Sequence, residues 1–131
     1  TANPGTDSWS RATDGTGFGT ELQAIMNTIL DRHIRNVIWL AGDVHYAQAT
    51  AYDPNRDSTV DFYEFISGPL SARTQKPMQP SPLLNPTPLY SEGEFPNFGV
   101  ITVDGETVTL RIVDGTGTVR FGKTFEAQSN R

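Results

Sequence analysis

Asp43 and His45 are the residues of this sequence whose types and spacing best suit chemistry. They follow the apolar run Val37–Ala41 almost directly, and ligands of α/β sheets lie beyond the carboxyl ends of the strands. Residues i and i+2 of an extended segment point the same way, so both side chains would reach one site. A carboxylate with a neutral imidazole suits zinc, manganese, iron or a similar ion. The pair predicts a metal site, although a Gly-Asp dipeptide after a strand is also a common turn.

A second group of acidic residues is spaced like a calcium-binding EF-hand loop. Five residues fall at the ligand positions of such a loop: Asp53, Asn55, Asp57, Asp61 and Glu64. Ser58 stands where that loop requires glycine for its sharp turn, and the flanking sequence is strand-like instead of helical. We therefore expect a polar turn between two strands, and calcium binding at residues 53–64 stays open as an alternative.

One helix and several strands must position these residues. Apolar residues recur at helical spacing from Leu22 to Leu30, which predicts a helix over about 20–33 with Thr20 and Gln23 as a capping box. His33 would lie at its C-terminal end, where the helix dipole favours a cation, so a structural role is expected for it.

The remaining regular elements are predicted as strands. The first is the apolar run 37–41, expected to be buried on both faces, and further strands are expected at 46–52 and 61–67. A hairpin of 99–103 with 107–113 around Asp104-Gly105, and a last strand at 119–125, complete the set.

Residues 71–96 hold six of the nine prolines of the chain. We expect no regular element over most of this proline-rich excursion. A segment of this length inside a domain either frames a functional cleft or runs over the surface with stretches of polyproline II.

Composition limits the classes of function. A chain of 131 residues can bury a core as a single domain. Ten basic against fifteen acidic side chains give a net charge of −5, which argues against a nucleic-acid duplex as partner. Cysteine is absent, which excludes disulfides and thiolate metal sites but leaves the compartment open. No apolar stretch is long enough to predict a membrane span.

Several blocks of the sequence resemble the C-terminal part of the alkaline phosphatase D family, within the calcineurin-like metallophosphoesterases. The most specific are Gly-Asp-Val-His-Tyr at 42–46 and Glu-Phe-Ile-Ser-Gly-Pro-Leu at 64–70, with further likeness at 7–9, 19–23 and 97–105. The resemblance implies an α/β fold, the C-terminal portion of a metallophosphoesterase β-sandwich flanked by helices. Residues 1–18 are polar and rich in glycine, which predicts a loop, and the resemblance implies that Trp9 is anchored near the rim of the site.

The resemblance also implies a site and an activity. The family hydrolyses phosphate mono- and diesters at a centre of two or more metal ions, iron and calcium in one branch and zinc or manganese elsewhere. Asp43 and His45 match its last pair of metal ligands, although the wider superfamily usually has His where Asp43 stands. Tyr46 is a weaker candidate for substrate contact, and packing beside the strand is its alternative role.

Other segments that build the superfamily's site, Gly-Asp-x-x-Asp and Gly-Asn-His, do not occur in this sequence. In the family they lie N-terminal to the part seen here. We therefore expect this chain to be the C-terminal portion of a longer enzyme, inactive alone and partnered by the N-terminal half. A secreted or periplasmic location is expected from the family. The competing interpretation is a non-catalytic β-rich module or an inactive fragment.

Overall fold

The computed structural model describes residues 18–128, which are mostly β-structure with one helix. In chain order the elements are α1 Gly19–Asp31, β1 Val37–Ala41, β2 Ala47–Tyr52, β3 Phe62–Ile66, a 3₁₀ turn Pro82–Leu84, β4 Pro86–Glu92, β5 Asn97–Asp104, β6 Thr107–Asp114 and β7 Val119–Glu126. The predicted loop at 1–18, with Trp9, lies outside the described residues except for Phe18. None of the described residues belongs to a helix long and apolar enough to cross a membrane.

The strands form two sheets, one of four strands in the order β1-β3-β2-β4 and one of three in the order β5-β6-β7. β1 pairs with β3 in parallel, and the other pairings are antiparallel. Ala41, the last residue of β1, lies opposite Ile66, the last residue of β3. The loops that follow these two strands therefore leave the sheet at the same edge.

The four-stranded sheet is covered on one face by α1 and on the other by the three-stranded sheet. The core beneath the helix consists of buried apolar side chains: Leu22, Met26, Ile29, Tyr52, Phe62 and Leu84. On the opposite face, Phe65 contacts Leu110 and lies 5.9 Å from Phe125, centroid to centroid. Because successive residues of a strand point to opposite faces, β3 supplies Phe62 to one core and Phe65 to the other.

The helix forms where its apolar stripe predicted, but it begins and ends earlier than expected. It spans Gly19–Asp31, and His33 lies beyond its end in a left-handed conformation with φ of 51°. The predicted capping box is wrong, because Phe18 occupies the N-cap with no side-chain hydrogen bond and Thr20 is already inside the helix. The first turn of α1 is stabilised by burial of Leu22 against the sheet and not by a side-chain cap.

The expectation that the first strand is buried on both faces is wrong. β1 is an edge strand, and Leu40 is 59 % exposed. The strand buried at every residue is β2, which lies between β3 and β4. An apolar run shows that a strand has little polar surface, but it does not show whether other elements cover each of its faces along its whole length.

The proline-rich excursion contains a strand that the sequence did not predict. β4 pairs with β2 despite Pro86 and Pro88, which lie opposite Tyr52 and Thr50. Proline is tolerated there because β4 is the edge strand. No strand lies on its outer side, so a proline nitrogen that faces outward breaks no hydrogen bond between strands. Residues 73–80 have no regular structure, as predicted.

The C-terminal hairpin and last strand are confirmed, with small shifts at their ends. The two-residue loop between β5 and β6 is Gly105-Glu106 instead of Asp104-Gly105. Gly105 has φ of 56°, a conformation that glycine adopts without steric cost. Asp104 ends β5 and its carbonyl accepts a hydrogen bond from the Thr107 hydroxyl.

Candidate metal centre

Asp43 and His45 lie beyond the carboxyl end of β1, at the sheet edge that the sequence predicted. They belong to the loop 42–46 that joins β1 to β2, which we call the ligand loop after the two predicted ligands in it. The loop after β3 meets this edge, since the Ser67 N–H donates to the Ala41 carbonyl at 3.2 Å. Asp43 is exposed and His45 is half-buried, so both side chains belong to an accessible rim.

The predicted backbone geometry of this loop is wrong. The segment is not extended: it bends, with φ of 73° at Asp43 and 62° at His45. The rule that residues i and i+2 of a strand point the same way therefore does not apply here. Left-handed backbone is uncommon for residues other than glycine.

The His45 ring is oriented by a hydrogen bond to the main chain. Its Nδ1 lies 2.6 Å from the carbonyl oxygen of Arg73. Because a carbonyl only accepts hydrogen bonds, Nδ1 must carry the hydrogen. In the neutral ring this leaves Nε2 with a free lone pair, the arrangement found in metal-ligating histidines.

Residues 73–78, which we call the strap, cross the loop from one side. The Gln75 N–H donates to the His45 carbonyl at 2.9 Å, and the Gln48 side chain donates to the Met78 carbonyl at 3.2 Å. The excursion was predicted either to frame a cleft or to run over the surface. The strap runs directly beside the predicted ligand loop.

Tyr46 lies under the strap instead of at the rim. It is 1 % exposed, and burial raises the pKa of its hydroxyl, which also forms a hydrogen bond with the Met78 backbone. This burial favours the packing role that was weighed for Tyr46 over the substrate contact.

Asn97 joins the second sheet to the loop after β3. Its side chain pairs with both backbone groups of Gly68: the Gly68 N–H donates to Oδ1 at 2.8 Å, and Nδ2 donates to the Gly68 carbonyl at 2.8 Å. The Asn97 N–H donates to the Pro69 carbonyl at 2.9 Å, and the residue is 1 % exposed. A buried residue of β5 thus fixes the loop that meets the ligand loop.

We expect Asn97→Ala to lower the free energy of unfolding by about 2–3 kcal/mol, because two backbone groups of Gly68 lose their partners. The matched control is Asn27→Ala on the exposed face of α1, where a change within about 0.5 kcal/mol is expected. Urea unfolding followed by circular dichroism measures both. Equal midpoints for the two variants would show that the pairing with Gly68 does not hold the loop.

The acidic segment 53–64 is a polar turn between β2 and β3, as predicted, and not an EF-hand. Asp53 accepts hydrogen bonds from the N–H groups of Asp57 and Ser58, each at 3.1 Å. Glu64 lies in β3 at 1 % exposure and accepts from the Tyr52 hydroxyl at 2.9 Å. Among residues 18–128, no three His, Cys, Asp or Glu side chains are grouped so that they could hold a metal ion.

The strap lies within residues 71–96, for which framing a cleft was one of the two alternatives expected. Two other parts of this site were not predicted: the carbonyl of Arg73 and the pairing of Asn97 with Gly68. A main-chain carbonyl can belong to any residue type, so the sequence carries no signal for the first. Asn97 belonged to a block that carried the family resemblance, but nothing in that block indicated its partner Gly68.

Comparison with known proteins identifies the family of this chain. Neither the curated proteins nor the solved structures gave a match. The family model described as PhoD-like phosphatase matches residues 2–111, which include the ligand loop, the strap and Asn97 and end within β6. Since the match covers most of the chain, including every element that meets at the candidate centre, this protein belongs to the PhoD-like phosphatase family.

Proposed function

We propose that this chain supplies the last metal-ligand loop of a PhoD-type phosphoesterase, with Asp43 and His45 as ligands. Family membership supports a phosphate ester as the substrate class. The observation that carries the assignment is the hydrogen bond from His45 Nδ1 to the Arg73 carbonyl, because it leaves Nε2 free to bind a metal.

The donor set fits the metals expected for the family. Asp43 offers a hard carboxylate oxygen and His45 a borderline imidazole nitrogen, and this combination suits iron, zinc or manganese. The carboxylate oxygen also suits calcium. Bound at such a centre, the ions activate water and neutralise charge on the phosphoryl oxygens. The residues of this chain hold the ligands at an exposed edge that a phosphate mono- or diester can reach.

Further ligands are needed, since no three His, Cys, Asp or Glu side chains among the described residues are grouped so that they could hold a metal ion. We assign them to the N-terminal half of the same enzyme, which would place this chain in the β-sandwich of the superfamily. The edge position of β1 supports this assignment, because the side of an edge strand that lacks a neighbour can pair with another strand. Leu40, 59 % exposed on that strand, borders a groove of about 100 Å³ with Ile101 and Leu110.

A calcium-binding module is the second candidate, favoured by one observation. One carboxylate oxygen of Asp61 is buried and has no hydrogen-bond partner within the described part of the chain. Burial raises the pKa of Asp61, and Asp57 and Asp53 raise it further. A cation would relieve this concentration of negative charge. Against it, Asp53 is occupied by backbone N–H groups and Glu64 by Tyr52.

Metal retention tests the first proposal directly. The chain is incubated with zinc, manganese or iron salts, freed of unbound metal by gel filtration and analysed for metal content. We expect the wild-type chain to retain more metal than Asp43→Asn or His45→Ala. Equal retention by the three proteins contradicts the assignment of these two ligands.

A further inference from the structure

The path of the strap is set by a contact with Gly93, just after β4. A Cβ atom added at Gly93 would lie 2.1 Å from the Gln75 carbonyl oxygen and 3.0 Å from Cδ of Pro77. The same carbonyl accepts a hydrogen bond from the Glu94 N–H at 3.1 Å. The strap therefore lies flush against the backbone at Gly93, with no room for a side chain between them.

The strap reaches His45 through two hydrogen bonds from residues on either side of Thr74. The Arg73 carbonyl accepts from Nδ1 of the ring at 2.6 Å, and the Gln75 N–H donates to the His45 carbonyl at 2.9 Å. Because Gln75 is also the residue in contact with Gly93, a displacement there moves both bonds together.

We propose that Gly93 is a positioning residue for His45, acting through the strap. The close contact between Gly93 and the strap holds the Arg73 carbonyl in place. There the carbonyl keeps the ring hydrogen on Nδ1, so the lone pair of Nε2 stays free. What Nε2 binds rests on the proposed function. The tautomer of His45 and its dependence on Gly93 are properties of this chain that can be measured without any metal.

Gly93→Ala displaces the strap by roughly 1 Å to relieve the contact with the Gln75 carbonyl, and a shift of that size is enough to loosen a preorganised site. The bond to Nδ1 is then lost or lengthened. An imidazole released from such a bond exchanges between its two neutral tautomers.

Long-range ¹H–¹⁵N correlation spectra of the histidine rings test this at about pH 8.5, two units above the ordinary imidazole pKa of about 6.5. The chain has two histidines, so His33 serves as an internal reference. We expect wild-type His45 to show the Nδ1–H pattern alone and Gly93→Ala to show both tautomers, with His33 unchanged.

The matched control is Gly122→Ala in β7, where the nearest atoms to an added Cβ lie at 3.7 Å and 3.8 Å, ordinary contact distances. It should leave the His45 pattern as in the wild type. Pro77→Ala is a second variant, used if Gly93→Ala does not fold, because it loosens the strap without introducing a clash. It should also populate both tautomers.

A Zn²⁺ titration adds a readout that general destabilisation does not move. Gly93→Ala should raise the Kd for Zn²⁺ by about 10–100-fold, the usual effect of losing an outer-shell partner, and Gly122→Ala should leave it unchanged. Wild-type His45 with its hydrogen on Nε2, or a folded Gly93→Ala with an unchanged tautomer, overturns the inference. If the wild-type chain shows the Nδ1–H tautomer but binds no Zn²⁺, the proposed function is contradicted and the positioning role of Gly93 is not.

Discussion

His45→Ala is expected to reduce hydrolysis of bis-p-nitrophenyl phosphate more than about 100-fold, because loss of a mere outer-shell partner of a metal ligand already costs about 10–100-fold. The assay uses the full-length enzyme of which we propose this chain to be the C-terminal portion. Asp43→Asn, which keeps the shape of the side chain and removes its charge, should act in the same direction. Metal content should fall together with turnover in both variants.

The control for this loss is His33→Asn, which changes the other histidine of the chain. His33 lines a cavity of about 620 Å³ near the amino end of β1, whereas the ligand loop lies beyond the carboxyl end of that strand. Asparagine tolerates the left-handed backbone found at His33. Turnover should stay within about twofold of the wild type, as for a surface change away from the site. If His45→Ala behaves like His33→Asn, His45 is not a ligand.

Phe62→Ala is expected to lower the free energy of unfolding by about 3–5 kcal/mol, the usual cost of removing a buried aromatic ring. Phe62 is 2 % exposed and stacks on Tyr52 with ring centroids 4.8 Å apart. Trp39 lies 5.8 Å away on the same side of the sheet, which faces α1. The ring thus joins three strands to the helix, and its loss leaves a cavity between these layers.

Phe98→Ala provides the comparison, since Phe98 is the same residue type and 41 % exposed on β5. Its truncation should cost less than about 1 kcal/mol. Urea unfolding monitored by tryptophan fluorescence and by circular dichroism measures both variants, and Phe62→Leu gives an intermediate value if Phe62→Ala is largely unfolded. Similar costs for Phe62→Ala and Phe98→Ala would show that the helix does not pack on the sheet through Phe62.

Local patterns in the sequence predicted most of the elements. The apolar stripe from Leu22 to Leu30 predicted α1 because one face of the helix must be buried against the sheet. Gly105 marked the hairpin because few other residues adopt its backbone conformation cheaply. Each signal is contained within a few neighbouring residues, so it can be recognised without the rest of the fold.

The features that the sequence did not predict depend on residues far apart in the chain. The exposure of Leu40 depends on how far the second sheet covers β1, and the tolerance of Pro86 and Pro88 follows from the edge position of β4. The bond between His45 and Arg73 spans 28 residues and uses a carbonyl that any residue type carries. The motif therefore predicted which end of β1 Asp43 and His45 follow, but not how the histidine ring is oriented.

Paramagnetic mapping with Mn²⁺ tests the central claim most directly, because it locates a bound ion even when affinity is weak. Increasing amounts of Mn²⁺ are added to the ¹⁵N-labelled chain, and line broadening is followed residue by residue. We expect the amide signals of Asp43 and His45 and the ring signals of His45 to broaden first, with His33 unaffected, and the broadening at 42–46 to vanish in His45→Ala. Broadening centred on residues 53–64, or none near the ligand loop, would contradict the account.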